Sequence, residues 1–466
     1  MKLLMFKVLL LMMTFVSGEV FQNSTGLCES QCKCNSNGKN YNIDCRTKGM
    51  INVLANWPEP PKNSNTIIGM FTRNNITNLK AFPPTNLSLV VYFDHCGIAE
   101  LDTGLMENCI QIKHLDLSYN SIKANQLHSD VFKGPYNNSV YEPIALEHLD
   151  LSYNKIHSLE QNLFEHLPNL KYLNLEGNHF RIFDKPSVKS FQNLNQLQQL
   201  FFGENRFLYI PEEAMKPLTE LIILDLSGNI FDFVPNSLVH LKKLKKLSVD
   251  RNPIIEFTDQ TFVGLDSLEE ISAADLKQMM FIKTNSFMPL KNLRKINLSG
   301  MNVTNIEDEA FGDIRHIREL NLSNCNLQSL PVKLVDWSVL NVLDLKKNNF
   351  YCECDLFNIT TRLSADIKRD KEGPYCHDFK SEKQYEVYSL GSDVCFEQDN
   401  ILNWSGDGSS SDMRIIRTSL IMLSILLIMS VVVAFWLAYN KLVLYKRNRS
   451  YPFASSVMYN PILTNN

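Results

Sequence analysis

The 466-residue chain has no excess of basic charge. Its 46 Lys and Arg against 50 Asp and Glu leave a formal net charge of -4, without the basic surplus that a nucleic-acid binder carries. Eighteen glycines and eighteen prolines are too few for a collagen or a disordered linker protein. The sequence holds no G-x-S-x-G, no H-E-x-x-H and no phosphate-cradling glycine loop, and its ten histidines are scattered. No catalytic constellation forms on paper, so the expectation is a non-enzyme without cofactor or metal. Asp116, Asp150 and Asp225 share one strand position, and a solvated face explains that column better than a calcium site.

Acidic residues are also absent after Asp412, where the chain changes character. Thr418 to Asn440 holds no charged side chain, and at about 1.5 Å per residue it is long enough for a ~30 Å hydrocarbon core. Lys441, Lys446, Arg447 and Arg449 follow at once. At the other end, a basic start, the apolar run Val8–Met13 and the small residues Ser17-Gly18 have the form of a secretory signal peptide. These features predict a cleaved signal over 1–18, a stalk over 397–417, one membrane helix over 418–440 and a cytoplasmic tail over 441–466. That order is a type I, single-pass plasma-membrane topology, with basic residues inside.

Between the ends the sequence repeats itself. Leu146 to Ile156 reads L-x-x-L-x-L-x-x-N-x-I, and further copies start at Thr66, Ser88, Ile112, Leu170, Leu197, Leu221, Leu244, Leu268, Leu293, Ile317 and Leu340. Each L-x-L turns two side chains inward from a short strand and the middle one outward. The Asn turns inward, where its amide satisfies backbone groups of the turn. Cys96 and Cys325 stand at the Asn position, while Leu276 and Met301 interrupt it and predict local irregularity there. An insertion near Pro135–Ile144, with Tyr136 and Tyr141, should emerge as a surface loop. This pattern, covering 66–350, resembles the leucine-rich repeat family. The resemblance implies an α/β fold: a curved solenoid of about twelve repeats with a parallel sheet on its concave face, where one coil cannot bury its core without neighbours.

Eleven cysteines behind a signal peptide point to an oxidising compartment. Cys28, Cys32, Cys34 and Cys45 precede the repeats; Cys352, Cys354, Cys376 and Cys395 follow them. Spacing alone allows three pairings in each cluster. The clusters look like the cysteine-rich caps of extracellular leucine-rich repeat proteins, here over 19–65 and 351–396. That resemblance implies Cys28–Cys34, Cys32–Cys45, Cys352–Cys376 and Cys354–Cys395. Cys96, Cys109 and Cys325 are left as free buried thiols or, for the first two, as a bridge. Extracellular sequons stand at Asn23, Asn75, Asn86, Asn137, Asn297, Asn302, Asn321, Asn358 and Asn403, and none falls between Val140 and Ile296. Glycans at Asn297 and Asn321 would rise from the concave wall of the tenth and eleventh repeats.

Sugars shield surface that is not needed for contact, so the bare middle is the expected recognition face. Its outward candidates are Tyr119, Asp150, Tyr153, Tyr172, Glu176, Phe201, Glu204, Asp225, Asp250 and Arg251, a mixture of aromatic and charged groups of the kind that protein interfaces use. A tail of about 26 residues is too short for a folded signalling domain. In this the chain departs from Toll-like receptors, whose ectodomains it resembles. The expectation is a cell-surface receptor or adhesion molecule that binds an extracellular protein or partner receptor, embedded in a membrane, with no nucleic acid. Signalling would then need a homodimer or co-receptor. The rivals are a pattern-recognition co-receptor and an endocytic or scavenger receptor. Tyr459-Asn460-Pro461-Ile462 has the Y-x-x-apolar form of an endocytic sorting signal. If Tyr459 and Ile462 act so, Tyr459→Ala raises surface abundance measured by surface biotinylation; unchanged abundance counts against the endocytic reading.

Overall fold

The structure is a computed structural model and describes residues 27–28, 31–314, 316–370, 372–379 and 382–395. The proposed signal peptide, stalk, membrane helix, tail, sorting signal and the sequons Asn23 and Asn403 lie outside these residues. Among the described residues no helix is long and apolar enough to cross a membrane. The chain divides into a unit ending at Val394 and a second, Cys395–Asn466; the first is described here.

A fourteen-stranded sheet runs through this unit in chain order. It opens with an antiparallel hairpin, Lys33–Asn37 with Asn40–Asp44, and every later pairing is parallel. The twelve coils follow, with strands Thr66–Met70, Ser88–Tyr92, Ile112–Asp116, His148–Asp150, Tyr172–Asn174, Gln199–Phe201, Ile223–Asp225, Lys246–Ser248, Glu270–Ser272, Lys295–Asn297, Glu319–Asn321 and Val342–Asp344. We number them 1 to 12. Inward leucines such as Leu149, Leu173, Leu200 and Leu224 are buried, and so is the phenylalanine ridge on the opposite side. There Phe262, Phe287 and Phe311 stack from coil to coil, with centroids 5.4 and 4.6 Å apart.

One backbone state recurs in every coil. The residue before the inward Asn position is left-handed in all twelve: Arg73, His95, Tyr119, Tyr153, Gly177, Glu204, Gly228, Arg251, Asp275, Gly300, Asn324 and Lys347. Nine of these carry a Cβ, which costs on the order of 1 kcal/mol each in this region. The conformation is held because it aims two groups at neighbouring coils. The left-handed residue's own N–H donates to the next coil, as Tyr153 does to the Glu176 carbonyl at 2.7 Å and Glu204 to the Ser227 carbonyl at 2.8 Å. The inward amide that follows reaches the preceding coil. Asn205 Nδ2 donates to the carbonyls of Leu175, Phe202 and Gly203, and its Oδ1 accepts from Phe180 N. Asn120, Asn154, Asn178, Asn229 and Asn252 repeat this arrangement.

The substituted positions separate the amide's two roles. Cys96 Sγ donates to the Phe71 carbonyl at 3.1 Å and Cys325 Sγ to the Leu298 carbonyl at 3.0 Å, so a thiol keeps the donor role toward the preceding coil. Both, with Cys109, are free and buried, and burial pushes their thiols up to about 11. Leu276 and Met301 are buried and supply neither role. The strand register nevertheless continues unbroken from Lys246 through Glu270 to Lys295. The irregularity lies in the turn of coil 9 instead. Its next buried side chain is Met279, three residues beyond Leu276, where coils 5 to 8 use Phe180, Phe207, Phe231 and Ile254 two residues beyond the Asn.

Disulfides close both ends: Cys28–Cys34 and Cys32–Cys45 before the first coil, and Cys352–Cys376 after the last. Cys354 and Cys395 are also disulfide-bonded. The insertion is a small hairpin, Tyr136–Asn137 with Val140–Tyr141, turned by Asn138 and Ser139 at positive φ. It anchors where the Tyr141 ring meets His166 edge-on at 5.4 Å.

The amide ladder predicts a graded series. Asn205→Ala removes four buried hydrogen bonds and leaves Phe180 N without its partner, and should cost about 3 kcal/mol, whereas Cys325→Ala loses only weak thiol bonds and should cost about 1 kcal/mol. Denaturant midpoints of the two variants check the order.

Candidate functional site

The concave wall is built by the outward strand residues and by the left-handed residues beside them. Because coils stack in register, a residue type repeated at one position becomes a column. In coils 3, 4 and 5 the first strand column is His114, His148 and Tyr172, in direct register. Their rings stack at 4.0 and 3.6 Å. Tyr92 extends the row at one end, 4.8 Å from His114, and Phe201 at the other, 5.2 Å from Tyr172. The left-handed column runs parallel to it: His95, Tyr119 and Tyr153 stack at 4.3 Å each. This second row ends where it does for a steric reason. The Tyr153 ring lies over Gly177, where a Cβ would stand 2.5 Å from Tyr153 Cδ1.

Acidic groups border the rings, and the wall holds them in place. Asp150 accepts from Ser152 N and Oγ at 2.8 and 2.6 Å and from Asn174 Nδ2 at 3.0 Å. Tyr153 Oη donates to Glu176 Oε1 at 2.8 Å. Asp116 and Asp225 each accept from the backbone N–H two residues on. The acidic column therefore braces the turns, and among the described residues no group of three or more His, Cys, Asp or Glu is placed to hold a metal ion. Asp250 braces the next coil through Ala274 N and Ser272 Oγ, and Arg251 donates to Glu204.

Burial sets the protonation states. It pushes the His148 imidazole down to about 3, helped by His114 beside it. It lowers His114 too, against the pull of Asp116, and His114 Nε2 is buried without a hydrogen-bond partner. Both rings are neutral at pH 7, which lets them stack like apolar aromatics. Burial also raises the Asp116 and Glu176 carboxyls and lifts Tyr172 to about 12.

The same first column is ionic farther along. Lys246, Glu270, Lys295 and Glu319 alternate across coils 8 to 11, paired at 2.8, 3.3 and 3.5 Å. Exposed pairs of this kind contribute little stability, so the change of character is a matter of surface and not of folding. The wall has an aromatic half and an ionic half, and Asn297 and Asn321 stand on the ionic half. Each uses Oδ1 to accept from Ser299 or Ser323.

Of the ten residues read from sequence, the structure draws Tyr119, Asp150, Tyr153, Tyr172, Glu176 and Phe201 into the aromatic half. Glu204 and Arg251 pair with each other farther along, and Asp225 and Asp250 are committed to turns. His95, His114, His148 and Tyr92 were not among the ten. His148 reads as outward from the strand phase of the fourth repeat, and His114 could have been found by lining up that position one coil back. Tyr92 is harder to find, because the register slips between Leu89 and Val90.

Comparison with known proteins fits this architecture. Residues 141–180 and 291–350 match the family described as leucine rich repeat. The chain is 31% identical over 139 residues to leucine-rich repeat-containing G-protein coupled receptor 5 of Rattus norvegicus, covering 29% of this chain and 14% of that protein. It is 30% identical over 191 residues to Tsukushi of Mus musculus, covering 40% and 49%. It is 26% identical over 260 residues to CD180 antigen of Mus musculus, covering 55% and 34%. The chain thus spans half the length or less of these relatives.

The depressed histidines make stability depend on pH. A histidine whose folded pKa lies below its unfolded value near 6.5 is protonated more readily on unfolding, so its stabilisation is complete above that value. It is lost as pH falls toward about 3. The raised carboxyls of Asp116 and Glu176 act in the opposite sense. Thermal melts from pH 7.5 to 5 should show a loss that His148→Phe reduces. With its twelve left-handed turns, its stacked parallel strands and its disulfides at both ends, the described chain has a solenoid fold like that of leucine-rich repeat proteins.

Proposed function

We propose that this chain is a cell-surface glycoprotein, held by one type I membrane span, that recognises an extracellular protein with the aromatic half of its concave wall. The observation that carries this reading is the pair of adjacent aromatic rows, one stacked over coils 2 to 4 and the other over coils 3 to 5 with Tyr92 and Phe201 tilted at its ends. Rings already stacked and buffered by braced carboxylates lose little freedom on binding, which is where rigid surfaces gain affinity. Aromatic side chains are also enriched among the residues that dominate interface energies. The sequon-free stretch 140–296 covers the half of these rings in coils 4 to 6, and relatives named as receptors support an extracellular recognition role.

A panel of secreted and cell-surface ectodomains, screened against cells displaying the full chain, tests this. A true partner should lose at least tenfold in affinity, about 1.4 kcal/mol, in the Tyr153→Ala/Tyr172→Ala double variant, and should be unaffected by Lys295→Ala on the ionic half. Capture of lipopolysaccharide in place of any protein would favour the pattern-recognition reading instead.

A further inference from the structure

The repeat provides its own control for surface composition, and one flank departs from it. The third and fourth residues after the inward position leave the concave wall and form the side of the solenoid. In coils 1, 2, 4, 10 and 11 they are Thr77-Asn78, Ala99-Glu100, His157-Ser158, Thr304-Asn305 and Gln328-Ser329. In coils 5 to 8 the same places hold Arg181-Ile182, Leu208-Tyr209, Asp232-Phe233 and Ile255-Glu256. Coil 9, with its one extra residue, continues them as Met280-Phe281, and Phe281 pairs in register with Glu256.

The apolar members are exposed, from 42% for Ile255 to 66% for Ile182. They are also contiguous: Ile230 N donates to the Phe207 carbonyl, Ile255 N to Asp232 and Met280 N to Ile255. Together with Ile230 they form an exposed apolar strip across five neighbouring coils, and clustered exposed apolar residues mark interaction surfaces where single scattered ones do not. Sequons occupy the flank at Asn75 in coil 1 and Asn302 in coil 10, each directly after the inward position, and none intervenes in coils 5 to 9.

Charge decides the occupant. Arg181 and Arg206 are exposed on coils 5 and 6, and Asp232 and Glu256 on coils 7 and 8. Among the described residues Arg181, Arg206 and Asp232 have no ion-pair partner, whereas Glu256 meets Lys283 at 2.6 Å. A strip that is basic at one end and acidic at the other is self-complementary under a twofold axis.

We infer that this flank is a homodimer interface, with the axis passing between coils 6 and 7. The operation sets coil 6 against coil 7 and coil 5 against coil 8. Arg206 then faces Asp232 of the second copy, and Arg181 faces Glu256 of the second copy. Leu208 and Tyr209 cover Ile230 and Phe233 of the second copy. The concave wall stays open in such a dimer, so this inference stands apart from the identity of the concave ligand.

Full-length chains carrying two different tags, co-expressed and read by energy transfer at the cell surface, test it. Wild type should self-associate. Arg206→Asp and Asp232→Arg should each weaken self-association at least fivefold, since either variant opposes like charges at both symmetry-related contacts. Co-expressing the two single variants should restore it, because the axis then sets each altered residue against the other. Tyr209→Asp should abolish pairing in every combination while surface expression persists. Wild type that pairs no more than an unrelated membrane control, reversals without effect, or a mixture that fails to recover would each overturn the inference. So would capture of a different protein by this flank with no self-association.

Discussion

All twelve coils share one local compromise, a left-handed residue, and in eight of them an inward-facing amide follows it. Taken alone, the turn is unfavourable at the nine positions that carry a Cβ. It persists because it satisfies backbone groups that belong to other coils. The N–H of Tyr153 is answered one coil ahead, and the amide of Asn154 answers Leu117 and Ile122 one coil behind. Stability is therefore held between neighbours and not within any one repeat, as expected of a stacked linear array. The ends, which have a neighbour on one side only, are where the disulfides lie.

The same compromise makes the solenoid available as a display surface. Since packing fixes the inward positions, the outward ones that do not brace a turn can differ from coil to coil with little cost to the fold. Two columns use this freedom to stack rings over coils 2 to 6, and the first column turns ionic over coils 8 to 11. On the flank, coils 5 to 9 each place at least one exposed apolar residue where coils 1, 4, 10 and 11 have polar pairs. Wall and flank are separate surfaces offered by one scaffold, so the proposed ligand and the proposed second copy would not compete.

Much of the fold was legible because its signals are local and repeated. The L-x-L and Asn phasing identified the strands, and Cys96 and Cys325 were readable as substitutes for Asn. The site was less legible. Tyr119, Tyr153 and Tyr172 could be read as outward from phase, but their stacking depends on register across 24 to 34 residues of chain. His114 and His148 looked unremarkable one at a time; what makes them a feature is that they are neutral, half-buried and in contact. Tyr92 was hidden by a slipped register. The acidic column was legible as a column, but its role as a set of turn braces needed hydrogen-bond geometry.

Coil 9 carries a further consequence. At Leu276 the amide bridge between adjacent coils is missing, and at Met301 it is missing again, while side-chain packing and strand pairing continue across both. In a linear array the coupling between neighbours sets how far a disturbance spreads. Coils 9 and 10 are thus the seam along which mechanical or thermal stress would divide the rod into two cooperative blocks. The longer block holds the stacked rings, and the shorter one holds the second set of end staples.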